Sequence, residues 1–149
     1  MAEDWKERLS RARQPYEPVR RNAGARTAIA QQFRRMIQSI IEPGFREAAA
    51  YARDKGVHSI VECELGGVQP RAMFCLRPSG RSVRYQLDPD GLAVREIEGV
   101  YHRPMGQRKV WFDLVDLQRQ LTPGYARAAA VGIVQDELRA ARARAERAG

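Results

Sequence analysis

From Thr27 onward apolar residues recur at Ile29, Phe33, Met36, Ile37, Ile40 and Ile41, the three-and-four spacing that lays a stripe along an amphipathic helix. Thr27 is a candidate N-cap for it. Pro43 has no N–H and sets its ring against the carbonyl four residues back, and Gly44 loosens the same spot, so a kink or a restart is expected there. The stripe resumes at Phe45, Ala48, Ala49 and Ala52, and Gly56 supplies the stop.

The period then changes to two. Val57, Ser59, Val61, Cys63 and Leu65 alternate with His58, Ile60, Glu62 and Glu64, which predicts a strand with one drier face. Ala72, Phe74 and Leu76 alternate with Met73 and Cys75, a strand apolar on both sides and so interior to a sheet. Further strands follow around turns at Pro78-Ser79-Gly80, at Asp88-Pro89-Asp90-Gly91, and at Pro104-Met105-Gly106-Gln107, the last turn separating two short strands. Helix returns near Val115. Thr122-Pro123 then supplies an N-cap and a first-turn proline for a last helix with Ala126, Ala130, Ile133, Val134, Leu138 and Ala141 on one side. Successive strands with short connections make an antiparallel meander, because a parallel pair needs a crossover of about a dozen residues. The expected fold is therefore α+β: a meander of about five strands (57–65, 71–77, 81–88, 92–98 and the 100–114 region) against a long kinked N-terminal helix (27–55) and a C-terminal helix (123–147).

The hairpin around Pro89 raises a question of charge, because Arg84 can face either Arg95 or Glu96. Pro89 cannot adopt the positive φ that a two-residue type I′ loop requires. A type I turn with Gly91 left-handed in a bulge gives a three-residue loop that pairs Leu87 with Ala93, Tyr85 with Arg95, Arg84 with Glu96 and Val83 with Ile97. In that register Arg84 has an acid opposite and no anionic guest is required. Arg95 would stack on Tyr85.

Composition changes this picture modestly. Length and apolar content suit one domain with a single core, and no apolar run approaches the roughly 18–20 residues of a membrane span. The opening MAEDWKERLS has no apolar h-region, so the expectation is a cytoplasmic protein with no membrane partner. Cys63 and Cys75, the two cysteines, read as buried structural thiols that can face each other across a hairpin. The formal charge is +8, and every basic residue except Lys6, Lys55 and Lys109 is Arg. Abundant Ala and Gly beside the Arg is a bacterial-like composition that a GC-rich genome writes everywhere. The Arg bias thus says little, while the positive balance favours acidic partners.

The chemistry-bearing candidates are few. Residues 4–13 can form a short helix ended by Gln14-Pro15-Tyr16-Glu17-Pro18, and 1–26 reads as a basic arm ahead of a single 27–149 domain. Within it Arg11, Arg13, Arg20, Arg21 and Arg26 around Tyr16 can follow a phosphate backbone while the ring stacks. Arg103, Arg108 and Lys109, in the loop 101–109, form a second such set. His58, Glu62 and Glu64 on one strand face, with His102 from a later strand, are the best acid–base or metal-like group and support a metal-dependent hydrolase only as the third reading. No nucleophile elbow and no Gly-rich phosphate loop is present, so no cofactor is expected. The leading reading is a non-enzymatic binding module, an accessory or adaptor subunit that contacts another protein or a second copy of itself. Nucleic acid held by the arm and the 101–109 loop is the alternative.

Overall fold

The computed structural model describes residues 23–67, 69–100 and 103–148, of which 23–27 and 103 by their backbone alone. Its elements run α1 (Ala23–Met36), a π-helical turn (Ile37–Ile41), α2 (Glu42–Asp54), β1 (His58–Glu64), β2 (Arg71–Arg77), β3 (Ser82–Leu87), β4 (Val94–Val100), β5 (Arg103–Trp111), α3 (Leu114–Gln120) and α4 (Pro123–Ala148). The five strands form one antiparallel sheet in the order β1-β2-β3-β4-β5, the meander that short connections dictate. No described helix is long and apolar enough to cross a membrane.

The N-terminal helix bends one turn ahead of Pro43. There the Glu42 N–H reaches back five residues to the Ile37 carbonyl. Pro43 then sits at the start of α2, where its missing N–H costs little. Thr27 lies inside α1 instead of capping it, because helix-favouring Ala23 and Ala25 carry the helix back to residue 23. Gly44 is not a loosened spot but a close approach: a Cβ there would stand 2.7 Å from the Pro123 carbonyl oxygen at the head of α4.

Helices cover one face of the sheet. Phe33, Met36, Ile37, Ile41, Phe45, Ala48 and Ala52 meet Ala72, Phe74, Leu76, Val83, Tyr85, Leu87, Val94 and Trp111, with Ala126, Ala130, Ile133 and Val134 of α4 closing the core. The rings run in a row, Phe74–Phe45–Tyr85–Trp111–Tyr125, with neighbouring centroids 5.8–6.2 Å apart. Thr122 caps α4 as its sequence requires, its Oγ1 accepting from the Tyr125 N–H at 3.1 Å.

Three local expectations are corrected. β5 is one continuous strand through Pro104-Met105-Gly106-Gln107, with register shifts opposite Glu96/Ile97 and Glu98/Gly99. An edge strand tolerates a proline, and the shifts absorb the extra residues. The cysteines do not face each other: Cys63 lies opposite Ala72 and is exposed, whereas Cys75 lies opposite Ile60 and is buried. The hairpin register slips by one, to Leu87–Val94, Gln86–Arg95, Tyr85–Glu96, Arg84–Ile97 and Val83–Glu98.

The turn itself forms as expected, with the Gly91 N–H on the Asp88 carbonyl at 2.9 Å and φ of +72° at Gly91. The Asp88 N–H, however, bonds the Ala93 carbonyl at 2.8 Å, and the Leu92 N–H bonds Asp90 Oδ1 at 3.0 Å, which draws Leu92 into a four-residue loop. A one-residue slip turns a strand's side chains over. The expected register would put Arg95 under the helices. The observed one buries Glu96, for which hydroxyl donors are waiting, and releases Arg95 to Asp88 at 2.6 Å. A buried charge is tolerated where it is paired and hydrogen-bonded, and that decides the register.

Candidate functional site

Two places follow from the slipped register. The first is interior. Glu96 is 2% exposed and accepts from the Tyr85 hydroxyl at 2.6 Å and from the Tyr125 hydroxyl at 3.3 Å, with Arg108 Nε at 3.6 Å. β3 contributes Tyr85, the head of α4 contributes Tyr125, and Arg108 falls at the first register shift of β5, where a bulge re-aims its side chain. Burial first, and the Glu96 charge second, push the Tyr85 phenol far above its ordinary range and the Tyr125 phenol up to about 12. These hydroxyls are committed donors, and neither is a ready base. Beside them Trp111 Nε1 donates to Gln120 Oε1 at 2.9 Å, and the Lys109 ammonium lies 5.6 Å from the Trp111 ring centroid. The cluster ties β3, β4, β5, α3 and α4 together and does a structural task.

The second place is the other face of the sheet, on which no described helix packs. Rows across it read Ile60–Cys75–Ser82–Gly99, then Glu62–Met73–Arg84–Ile97–Gln107, then Glu64–Arg71–Gln86–Arg95. Glu64 holds Arg71 at 3.1 Å, while Arg95 is held by Asp88 and by Gln107. Arg84 sits mid-sheet between Met73 and Ile97 and takes part in none of the ion pairs formed among the described residues. Partial burial first, then the like charge of Arg71, press its guanidinium below the ordinary range. The Glu62 row position is two strands away, about 10 Å at ordinary strand spacing. A shallow depression lined by Glu62, Cys63, Glu64, Arg71, Met73 and Arg84 opens here.

The sequence candidates fare unevenly. Arg11, Arg13, Tyr16, Arg20 and Arg21 lie outside the described residues, as do the expected 4–13 helix and His102, and Arg26 and Arg103 are placed by their backbones alone. Arg108 and Lys109 are engaged with Glu96 and Trp111. His58, Glu62 and Glu64 are exposed on β1, and Glu64 is taken by Arg71. Among the described residues no group of three or more His, Cys, Asp or Glu converges as a metal would need. The Arg84–Glu96 pair does not form, because Glu96 points to the helix side and Arg84 to the open side. Sequence reasoning missed Glu96 as a hub and Arg84 as a mid-sheet cation outside the ion pairs of the described residues, since both depend on a register that the distant Tyr125 and Arg108 help to set. No protein-family model, curated protein or solved structure matches the chain.

Proposed function

We propose that the protein is a non-enzymatic binding module that receives an acidic segment of a partner protein on the face of its sheet that none of the described helices covers. The observation that carries this reading is Arg84, a partly desolvated guanidinium flanked by Met73 and Ile97 that joins none of the ion pairs formed among the described residues. A buried or half-buried cation left without a counter-charge is costly, and an incoming carboxylate offsets that cost through a short, charge-assisted bond. Met73, half-buried in the same row, offers apolar contact beside it. The +8 balance of the chain supports an acidic partner by long-range attraction. A protein segment suits this site better than a phosphate backbone, because Arg84 stands between Met73 and Ile97 in the middle of the face, with Arg71 and Arg95 already paired and Arg77 out at the end of β2.

The test is calorimetric titration with a peptide of alternating Glu and Leu. Arg84→Gln should weaken binding about tenfold, the loss of one hydrogen bond to a charged group at roughly 1.5 kcal/mol, while Arg139→Gln on α4 leaves it unchanged. Affinity should also fall with salt. Unchanged affinity in Arg84→Gln would overturn the reading. Retention of an oligonucleotide at low salt that depends on Arg20, Arg21 and Arg26 and ignores Arg84→Gln would favour nucleic acid on the arm instead.

A further inference from the structure

The two edges of the sheet are built differently. β5 carries Pro104, which has no N–H to offer, together with two register shifts, Arg108 and Lys109. Each of these is a device that discourages another strand from adding to an edge. Apart from the carboxylates of Glu62 and Glu64, β1 carries none of them. Its seven residues pair with β2 in unbroken register, it contains neither proline nor lysine, and no described strand pairs with its outer side. A straight edge with unpaired peptide groups is a template for a further strand.

Which strand fits is decided by the residues of β1, His58-Ser59-Ile60-Val61-Glu62-Cys63-Glu64. If a second copy pairs antiparallel about a twofold axis normal to the sheet, opposite residues share a face and one residue meets its own copy. With the axis at Glu62 two carboxylates meet, and at Cys63 each Glu62 meets a Glu64. Both are repulsive. With the axis at Val61 each Ile60 faces a carboxylate. With the axis at Ile60 the pairs become Ile60 on Ile60, His58 against Glu62 twice, Ser59 against Val61 twice, and Val57 against Cys63 twice. Apolar meets apolar on the open face, and each imidazole N–H has a carboxylate to donate to. Of the registers centred from Ile60 to Cys63, which keep the most β1 residues paired, only this one leaves no acid facing an acid or an aliphatic side chain.

We infer that β1 pairs with β1 of a second copy in the register centred on Ile60, joining two five-stranded sheets into one of ten strands with the helices of both copies on the same side. The partner is self-complementary: the imidazole of each copy meets the carboxylate of the other. The inference does not depend on Arg84 or on what the open face binds, and it places two open faces side by side.

Sedimentation equilibrium of the full chain should give twice the 16.9 kDa chain mass. Ile60→Lys, on an exposed edge away from the core, should give the single-chain mass with an unchanged far-ultraviolet spectrum. In a Cys63→Ser background, Ile60→Cys should form a disulfide-linked dimer on mild oxidation. Val61→Cys should not, because the two copies of residue 61 would lie about 8 Å apart, beyond bridging distance. A wild-type chain that stays monomeric, a dimer that survives Ile60→Lys, or a cross-link at Val61 without one at Ile60 would each overturn the proposal. Peptide binding lost in Arg84→Gln with the dimer intact, or the converse, separates this inference from the binding reading.

Discussion

At the scale of single residues, the consequential event is that Glu96, and not Arg95, goes under the helices. Removing the Tyr85 hydroxyl deprives that carboxylate of its shortest bond, so Tyr85→Phe should cost about 1–3 kcal/mol at neutral pH, read from urea midpoints. The same pair sets an alkaline limit. Tyr85 keeps its proton in the folded chain well above pH 10, where the unfolded chain loses it, so the unfolded state then binds fewer protons. Stability should be full below about pH 10 and fall as pH rises through it, by up to about 1.4 kcal/mol per unit for this group, and Tyr85→Phe should flatten that slope. Parallel slopes in the two proteins would contradict the assignment. Cys63 shows the reverse of what exposure suggests. Partial desolvation first and the Glu42 carboxylate second push its thiol up to about 11, so at pH 8 it should react with iodoacetamide tens of times more slowly than a free cysteine, as mass spectrometry of the native chain can report.

Among elements, the tightest fit is between α2 and the head of α4. Gly44 presses against the Pro123 carbonyl oxygen, the Arg127 N–H and Ala126 Cβ, at 2.7, 3.1 and 3.2 Å from where its own Cβ would stand. Alanine is the better helix former by about 1 kcal/mol, yet the backbone it would strike cannot move aside cheaply. Gly44→Ala should therefore lower stability by about 1–2 kcal/mol and the melting temperature by a few degrees, measured by calorimetry. The elements themselves were legible because their signals are local: a three-and-four stripe from Ile29 to Ala52, alternation from Val57 to Leu76, a Thr-Pro start for α4. What was not legible was relational. The Gly91 turn forms as its sequence dictates, but the pairing it launches is settled by Tyr125 and Arg108, and the glycine beside Pro43 is explained only by a helix that begins at Pro123.

For the whole molecule, the layering follows from the burial pattern: apolar residues of the strands gathered on one side, mixed polar and apolar on the other, and the described helices packed on the first side. The candidate site was half visible. That the protein is basic could be read directly, but that Arg84 stands mid-sheet outside the ion pairs formed among the described residues could not, since Arg84 and Arg95 exchange roles with a one-residue change in pairing. The widened turn at Ile37–Ile41 holds one residue more than a regular helix would, so the two halves of the long helix are out of rotational phase by about 100°. Excising that residue would smooth the backbone while swinging Phe45 out from between Phe74 and Tyr85. In this stretch the number of residues is under stricter control than their identity, and the aromatic row inherits its alignment from an irregularity.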